Sequence, residues 1–284
     1  MTITTTINET RDQIKRWKRD GLSVGFVPTM GFLHEGHISL IEKSVSQSDK
    51  TAASIFVNPK QFGPTEDLDK YPQDFKADEE MCRNAGADLI FYPSTNEIYP
   101  EGYCTYVDMD PDSDLIKELC GKSRPGHFRG VCTVVAKLFN IVPANRAYFG
   151  QKDAQQLAVI TKMVSDLSMD IEIVPCPTVR ESDGLAKSSR NSYLSPSERA
   201  AAQVVSKAIF EGERLIKAGE DDVDKVIKAM ANMIKAEPLA KIDYIEIVDL
   251  HTLKKIDKIE GPVLGATAVF FGKTRLIDNF MLSI

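Results

Sequence analysis

The sequence predicts an α/β fold, a parallel sheet covered by helices on both faces, followed by a smaller α+β module. Three observations carry that expectation. Through roughly the first 176 residues, short apolar runs alternate with segments of helical spacing, which is the texture of repeated βα units. The strand-like runs are continuously apolar, as strands buried on both faces must be. After about residue 178 the pattern changes to two long amphipathic helices and then alternating strands.

Taken in order, residues 24–28 (VGFVP) read as a buried strand and 36–48 as the helix after it. A second strand is expected over 52–57, and a loop rich in Pro and Gly runs from there through Tyr71 and Pro72. Residues 75–85 have helical spacing and 88–92 make a short strand. Residues 131–142 are apolar on more than one face, which predicts a buried helix. A strand over 146–149, a helix over 154–167 and a strand over 171–174 complete the alternation. Ser195, Pro196 and Glu198 form a helix start, with Ser195 as N-cap and Pro196 at the first helical position. One helix to about residue 217 and another over 221–235 follow, then strands near 242–248, 263–271 and 274–281. The expected domains are therefore 1–176 and 177–284. In parallel sheets ligands sit at the carboxyl ends of strands, here the loops 28–37, 57–63 and 149–156.

Composition narrows the class. The chain has 284 residues, 43% hydrophobic and 27% charged, with a formal net charge of −6. That balance suits a globular protein and argues against a nucleic-acid surface. The first twenty residues hold Arg11, Lys15, Arg16, Lys18 and Arg19 without an apolar run, and no stretch is long enough to span a bilayer. No membrane association is expected, and the cytoplasm is the default location. Five scattered cysteines, never in C-x-x-C spacing, predict buried thiols rather than a disulfide framework or zinc site.

Five constellations carry candidate chemistry. The segment 28–37, PTMGFLHEGH, places His34, Gly36 and His37 in a turn between strand and helix. A helix N-terminus directs backbone N–H groups and partial positive charge at whatever lies before it, a setting for a polyphosphate. The chemistry suggested is attack on a nucleotide α-phosphate with loss of pyrophosphate. The zinc-protease pattern needs histidines four apart on a helix, and here the spacing is three with Gly36 between. The segment 183–191, DGLAKSSRN, sets Lys187, Ser188, Ser189 and Arg190 just after a glycine turn, which suits a phosphate clamp or a solvated loop. The segment 148–156, YFGQKDAQQ, runs from a strand into Gly150. There Lys152 is a third phosphate contact, Asp153 a helix cap or a ribose acceptor, and Gln155 or Gln156 an amide for a polar substrate. The segment 56–62, FVNPKQF, sets Asn58 and Gln61 beside aromatic rings, fitting a small polar molecule with an apolar face or an ordinary turn. A basic, glycine-rich stretch, SRPGHFRG at 123–130, reads as a substrate loop or a lead into the buried helix.

These motifs, with VRESDGLA at 179–186 and TRLIDN at 274–279, stand in the order found in the pantothenate synthetase (pantoate–β-alanine ligase) family, which the chain resembles along nearly its whole length. That family lies within the HxGH nucleotidyltransferase superfamily. The resemblance implies a Rossmann-like N-terminal domain, a smaller C-terminal lid and a homodimer. It implies that ATP, pantoate and β-alanine yield pantothenate, AMP and pyrophosphate through a pantoyl adenylate, with Mg²⁺. By the same resemblance His34 and His37 bind ATP phosphates, and Lys152, Ser188, Ser189 and Arg190 hold the β- and γ-phosphates. Met30 and Gly36 lie by the reacting phosphate, Gly150 and Asp153 near the ribose, and Lys187 adds charge to the clamp. Gln61, Gln156 and Asn58 would meet pantoate.

Two positions depart from the family pattern. Residues 76–78 read Lys-Ala-Asp where members often carry adjacent acids, which leaves Asp78 as the acidic candidate for Mg²⁺. Cys120 stands where members commonly have an acid, and is expected to react if exposed. The alternative reading is an HxGH nucleotidyltransferase acting on a phosphorylated cofactor precursor; a nucleotide-binding regulatory protein without turnover is a third.

Overall fold

The structure, a computed structural model, describes residues 1–64 and 66–283. In chain order the first elements are β1 (Thr2–Thr4), α1 (Ile7–Arg19), β2 (Val24–Thr29), α2 (Glu35–Gln47), β3 (Lys50–Ile55), α3 (Phe75–Asn84), β4 (Leu89–Phe91) and α4 (Thr95–Ile98). Next come α5 (Asp114–Lys117), α6 (Leu119–Ser123), α7 (His127–Ile141), β5 (Arg146–Gly150), α8 (Ala154–Asp166) and β6 (Glu172–Cys176). The remainder is α9 (Pro196–Ala201), α10 (Gln203–Lys217), α11 (Val223–Lys235), β7 (Ala240–Asp249), β8 (Val263–Phe271) and β9 (Thr274–Leu282). The chain forms two compact units. The first is Met1–Pro111, Arg124–Gln151 and Gln156–Pro177; the second gathers Asp112–Ser123, Lys152–Gln155 and everything from Thr178.

The first unit holds a parallel sheet in the order β1-β4-β3-β2-β5-β6. The expected α/β class is what the chain adopts. From β2 the chain builds outward through β3 to β4, then returns to lay β5 on the other side of β2. This reversal is a topological switch point, and the crevice beyond the carboxyl ends of β2 and β5 is where such sheets bind ligands. Val27, Ala53, Ile90 and Tyr148 are fully buried and pack with Ile41 of α2 on one face. On α7, Val131, Val135, Leu138 and Phe139 are buried, and Phe139 meets Phe26 and Phe149 edge-on. Each such side chain contributes about 1.5–3 kcal/mol of burial.

The short helices α4, α5 and α6 lie outside the expectation from sequence, as do β1 and the longer helix α1. The helix begins in a capping box, Thr6 accepting from the Glu9 N–H while Glu9 returns to the Thr6 N–H, and it buries Thr10, Ile14 and Trp17.

The second unit is built on an antiparallel sheet in the order β7-β8-β9. Ile209 of α10 and Val226, Met230 and Ile234 of α11 are fully buried in the same core as Val269 and Phe271 of β8. Ser195 caps α9 in a box with Glu198, with Pro196 at the first turn, as the sequence predicts. The single long helix expected after it is two. Ala202 accepts from the Val205 N–H, a three-residue step that tightens the turn and separates α9 from α10. Among the described residues no helix is long and apolar enough to cross a membrane.

Candidate active site

In the first unit, β2 ends at Thr29 and the chain turns through Met30–His34 into α2. Gly31 has φ +85 and Phe32 φ +50, so two consecutive residues are left-handed. A Cβ on Gly31 would lie 2.9 Å from Asp78 Oδ2, so glycine is required there by conformation and by space. Asp78, only 2% exposed, holds this turn from α3: its carboxylate accepts the N–H of Phe32 at 2.9 Å and of Leu33 at 2.7 Å. Burial pushes the Asp78 carboxyl above the ordinary range, and the two N–H donors pull against that.

The turn ends in a capping box made of histidines. His34 is the N-cap of α2, and its Nδ1 accepts the Gly36 N–H at 3.1 Å. His37, three residues on, accepts the His34 N–H at its own Nδ1, at 3.3 Å. Ser or Thr with Glu or Gln usually fill these positions. An Nδ1 that accepts carries no proton, so each neutral ring keeps its hydrogen on Nε2. The ring centroids are 4.1 Å apart and tilted by 41°. The backbone thus fixes the tautomer and direction of two donors at the positive end of a helix dipole.

Beyond β3, Asn58 caps a 3-10 turn, Pro59–Gln61, that ends in Gln61. Asn58 is 1% exposed; its amide donates to Gln61 Oε1 at 2.9 Å and Gly130 O at 3.1 Å. Its oxygen accepts from Tyr99 Oη at 2.8 Å and the Lys60 N–H at 3.3 Å. Asn58 therefore positions Gln61, whose Nε2 donates to Met30 Sδ at 3.1 Å. His127 donates from Nδ1 to Gln61 O at 2.9 Å, because its Nε2 accepts from Arg124 Nη1 at 2.9 Å. Arg124 in turn forms a bidentate pair with Glu66. The basic stretch at 123–130 is thus a brace beneath Gln61. Gly150 closes β5, and a Cβ there would meet no protein atom within 4 Å, so protein packing does not demand glycine. Gln156 follows on α8, half-buried.

In the second unit, Lys152 Nζ lies 3.9 Å from Asp153 Oδ2. Gly184 turns at φ +93 between the bridged residues Arg180 and Ala186, leading into the basic segment. Lys187 pairs with Glu181 at 2.9 Å, and Ser188 caps a 3-10 turn by accepting the Arg190 N–H at 3.3 Å. Ser189 is 9% exposed. Cys120 is half-buried, its Sγ 3.4 Å from Tyr244 Oη and 3.6 Å from both terminal nitrogens of Arg275.

Sequence reasoning missed the supporting residues Asp78 in its bracing role, Arg124, His127 and Asn279. One signal was available for Asp78: it falls on the same face of α3 as Phe75 and Cys82, and a carboxylate on an apolar stripe needs a partner. Among the described residues no group of three or more His, Cys, Asp or Glu could hold a metal ion.

The profile of the family described as pantoate-beta-alanine ligase matches residues 2–281. The pantothenate synthetase of Ruminiclostridium cellulolyticum is 58% identical over 275 residues, covering 97% of this chain and 96% of its own. That of Caldicellulosiruptor saccharolyticus is 56% identical over the full length of both. Among solved structures, pantothenate synthetase from Thermus thermophilus superposes with a TM-score of 0.94 at 43% identity, covering 99% of each chain. Pantoate-beta-alanine ligase from Francisella tularensis, complexed with beta-gamma ATP and beta-alanine, gives 0.80 at 34% identity over 99% of this chain and 97% of its own.

Proposed function

The chain belongs to the pantoate–β-alanine ligase family and catalyses the ATP-dependent condensation of pantoate with β-alanine, and we propose that the histidine cap of α2 drives its first step. In that step a pantoate carboxylate oxygen bonds to the α-phosphorus and pyrophosphate leaves. In the second, the β-alanine amine bonds to the acyl carbon of pantoyl adenylate, AMP departs and pantothenate is released. Displacement at phosphorus is chiefly positioning and charge stabilisation, so no side-chain nucleophile is required.

The observation that carries this reading is the pair of Nδ1 acceptors, which commits Nε2–H of His34 and His37 as fixed donors for phosphate oxygens. Gly36 and Met30 belong to the same turn and serve the reacting phosphate. Gly150 and Asp153 serve the ribose. Lys152, Lys187, Ser188, Ser189 and Arg190 serve the β- and γ-phosphates. Gln61, held by Asn58 and His127, and Gln156 serve pantoate. Mg²⁺ enters with ATP as part of the substrate, because Asp78 already accepts two backbone N–H bonds and no cluster of metal-ligating side chains is found among the described residues. The family match over residues 2–281 favours the ligase over a nucleotidyltransferase acting on a phosphorylated precursor. A homodimer and a cytoplasmic location complete the proposal; light scattering on the purified protein tests the former.

The direct test follows AMP and pyrophosphate from Mg·ATP with pantoate, with and without β-alanine, and identifies the amide by mass. AMP formation that requires both substrates, with pantothenate as product, is expected. Pyrophosphate release indifferent to pantoate would refute the reading.

A further inference from the structure

We infer that Asn279 is a positioning residue for Lys152, an inference that rests on the reading of Lys152 as a phosphate contact. The carboxamide Nδ2 of Asn279 donates to the main-chain carbonyl of Lys152 at 2.8 Å, across 127 positions of sequence, and the residue is 8% exposed. Two features hold the donor still. Asn279 lies in β9 with its Cα opposite Ala266 of β8. Its own N–H is bound at 2.8 Å by the carboxylate of Asp278, whose side chain is 1% exposed. That carboxylate takes both arms of the Arg180 guanidinium, at 2.6 and 2.9 Å.

The same two residues of β9 therefore brace two segments. Through Arg180, which also donates to Gly184 O at 3.1 Å, Asp278 steadies the turn that precedes residues 187–190. Through its amide, Asn279 holds Lys152. Gln155 secures the other end of this four-residue segment. Its Nε2 donates to Leu115 O and Glu118 O at 2.9 and 2.7 Å, and its Oε1 accepts the Cys120 N–H at 2.9 Å. A carbonyl held in this way restrains the peptide plane after Lys152 and so limits the backbone movement that would displace its side chain. The ammonium on its flexible stem needs such anchoring, because a misplacement of about 1 Å at a reacting group costs up to about 10²-fold in rate.

The test is a double-mutant cycle in the full-length protein with Asn279→Asp and Lys152→Ala. Asn279→Asp keeps the shape of the side chain but sets a carboxylate oxygen against the carbonyl. The expected result is a fall of roughly tenfold or more in kcat/KM for ATP with KM for β-alanine unchanged, and less than about twofold further loss when Lys152 is already alanine. Melting temperature and circular dichroism identify a misfolded variant; in that case Asn279→Ala, which removes the donor without adding charge, carries the same cycle. Full multiplicativity of the two substitutions overturns the inference while leaving the Lys152 reading intact. An equal rise of KM for every substrate overturns it too. Near-normal activity of Lys152→Ala alone removes the premise, and the inference falls with it.

Discussion

Two imidazoles whose Nδ1 atoms are occupied by backbone N–H groups form the cap of α2. Replacing His37 with alanine removes one donor and opens the capping box. A fall of about 10²–10³ in the adenylation rate is expected for one lost charge-stabilising donor, read from single-turnover pyrophosphate release in a protein of unchanged circular dichroism. Thiol chemistry gives a second check. Burial pushes the thiols of Cys82 and Cys132 up to about 12, and raises Cys176 as well, whereas Cys104 is exposed. Alkylation of the native protein near pH 8, mapped by peptide mass, should modify Cys104 first and reach Cys82 and Cys132 only on unfolding. Labelling of Cys132 as fast as Cys104 would show that α7 is not buried as described. The histidines were legible in sequence because the whole cap lies within four consecutive residues. The roles of Asp78 and Asn279 were not, because their partners are backbone groups 45 and 127 positions away. Asn58 was legible as a polar residue at a strand end, yet not as one whose amide is fully engaged.

Elements position these residues through close approach. Gly130 lets α7 pass against the 3-10 turn Pro59–Gln61: a Cβ there would sit 2.3 Å from Lys60 O and 2.6 Å from Gln61 Cα. Gly130→Ala should cost about 1–3 kcal/mol of stability by overpacking. It should also raise KM for pantoate roughly tenfold or more, with KM for ATP much less affected. Steady-state kinetics decide the matter, and parallel changes in all three constants would argue against the assignment of Gln61 to pantoate. Most strands and the longer helices could be read from apolar runs and 3.6-residue spacing. β1, Thr-Ile-Thr, escaped because it holds a single apolar residue and so forms no apolar run, whereas the equally short β4, Leu-Ile-Phe, does. α1 escaped although its signals were present, a Thr6-x-x-Glu9 box and apolar side chains at Ile14 and Trp17, because the dense positive charge of the segment dominates its composition. The division of α9 from α10 at Ala202 has no marker in a residue so favourable to helix.

At the scale of the whole molecule, the division into units follows contacts that sequence order hides. Asp112–Ser123 and Lys152–Gln155 join the second unit, and the Gln155 amide bonding to residues 115, 118 and 120 shows one reason. The titrating groups give a stability profile. Hydrogen bonds from Thr6 and Ser195 hold Glu9 and Glu198 below the usual carboxylate range, and Ser23 and Arg199 do the same for Asp49 and Asp183. Their depressed native pKa values contribute stability that is present above the ordinary carboxylate pKa and lost as pH falls through the native values. Burial raises Asp78 and Glu246, so these two weaken the native state as pH rises through their native pKa values and weigh least when protonated. Melting temperature should therefore hold or rise from pH 7 to 5 and fall below about pH 4. A steady decline between pH 7 and 5 would contradict this balance. Rapid-quench measurement of pyrophosphate released from Mg·ATP and pantoate, before β-alanine is added, decides whether the histidine cap drives adenylation. A burst approaching one equivalent per active site is expected, slowed about 10²–10³-fold in His37→Ala, with pantothenate appearing once β-alanine is supplied. No burst in the unmodified protein, or an undiminished one in His37→Ala, would contradict it.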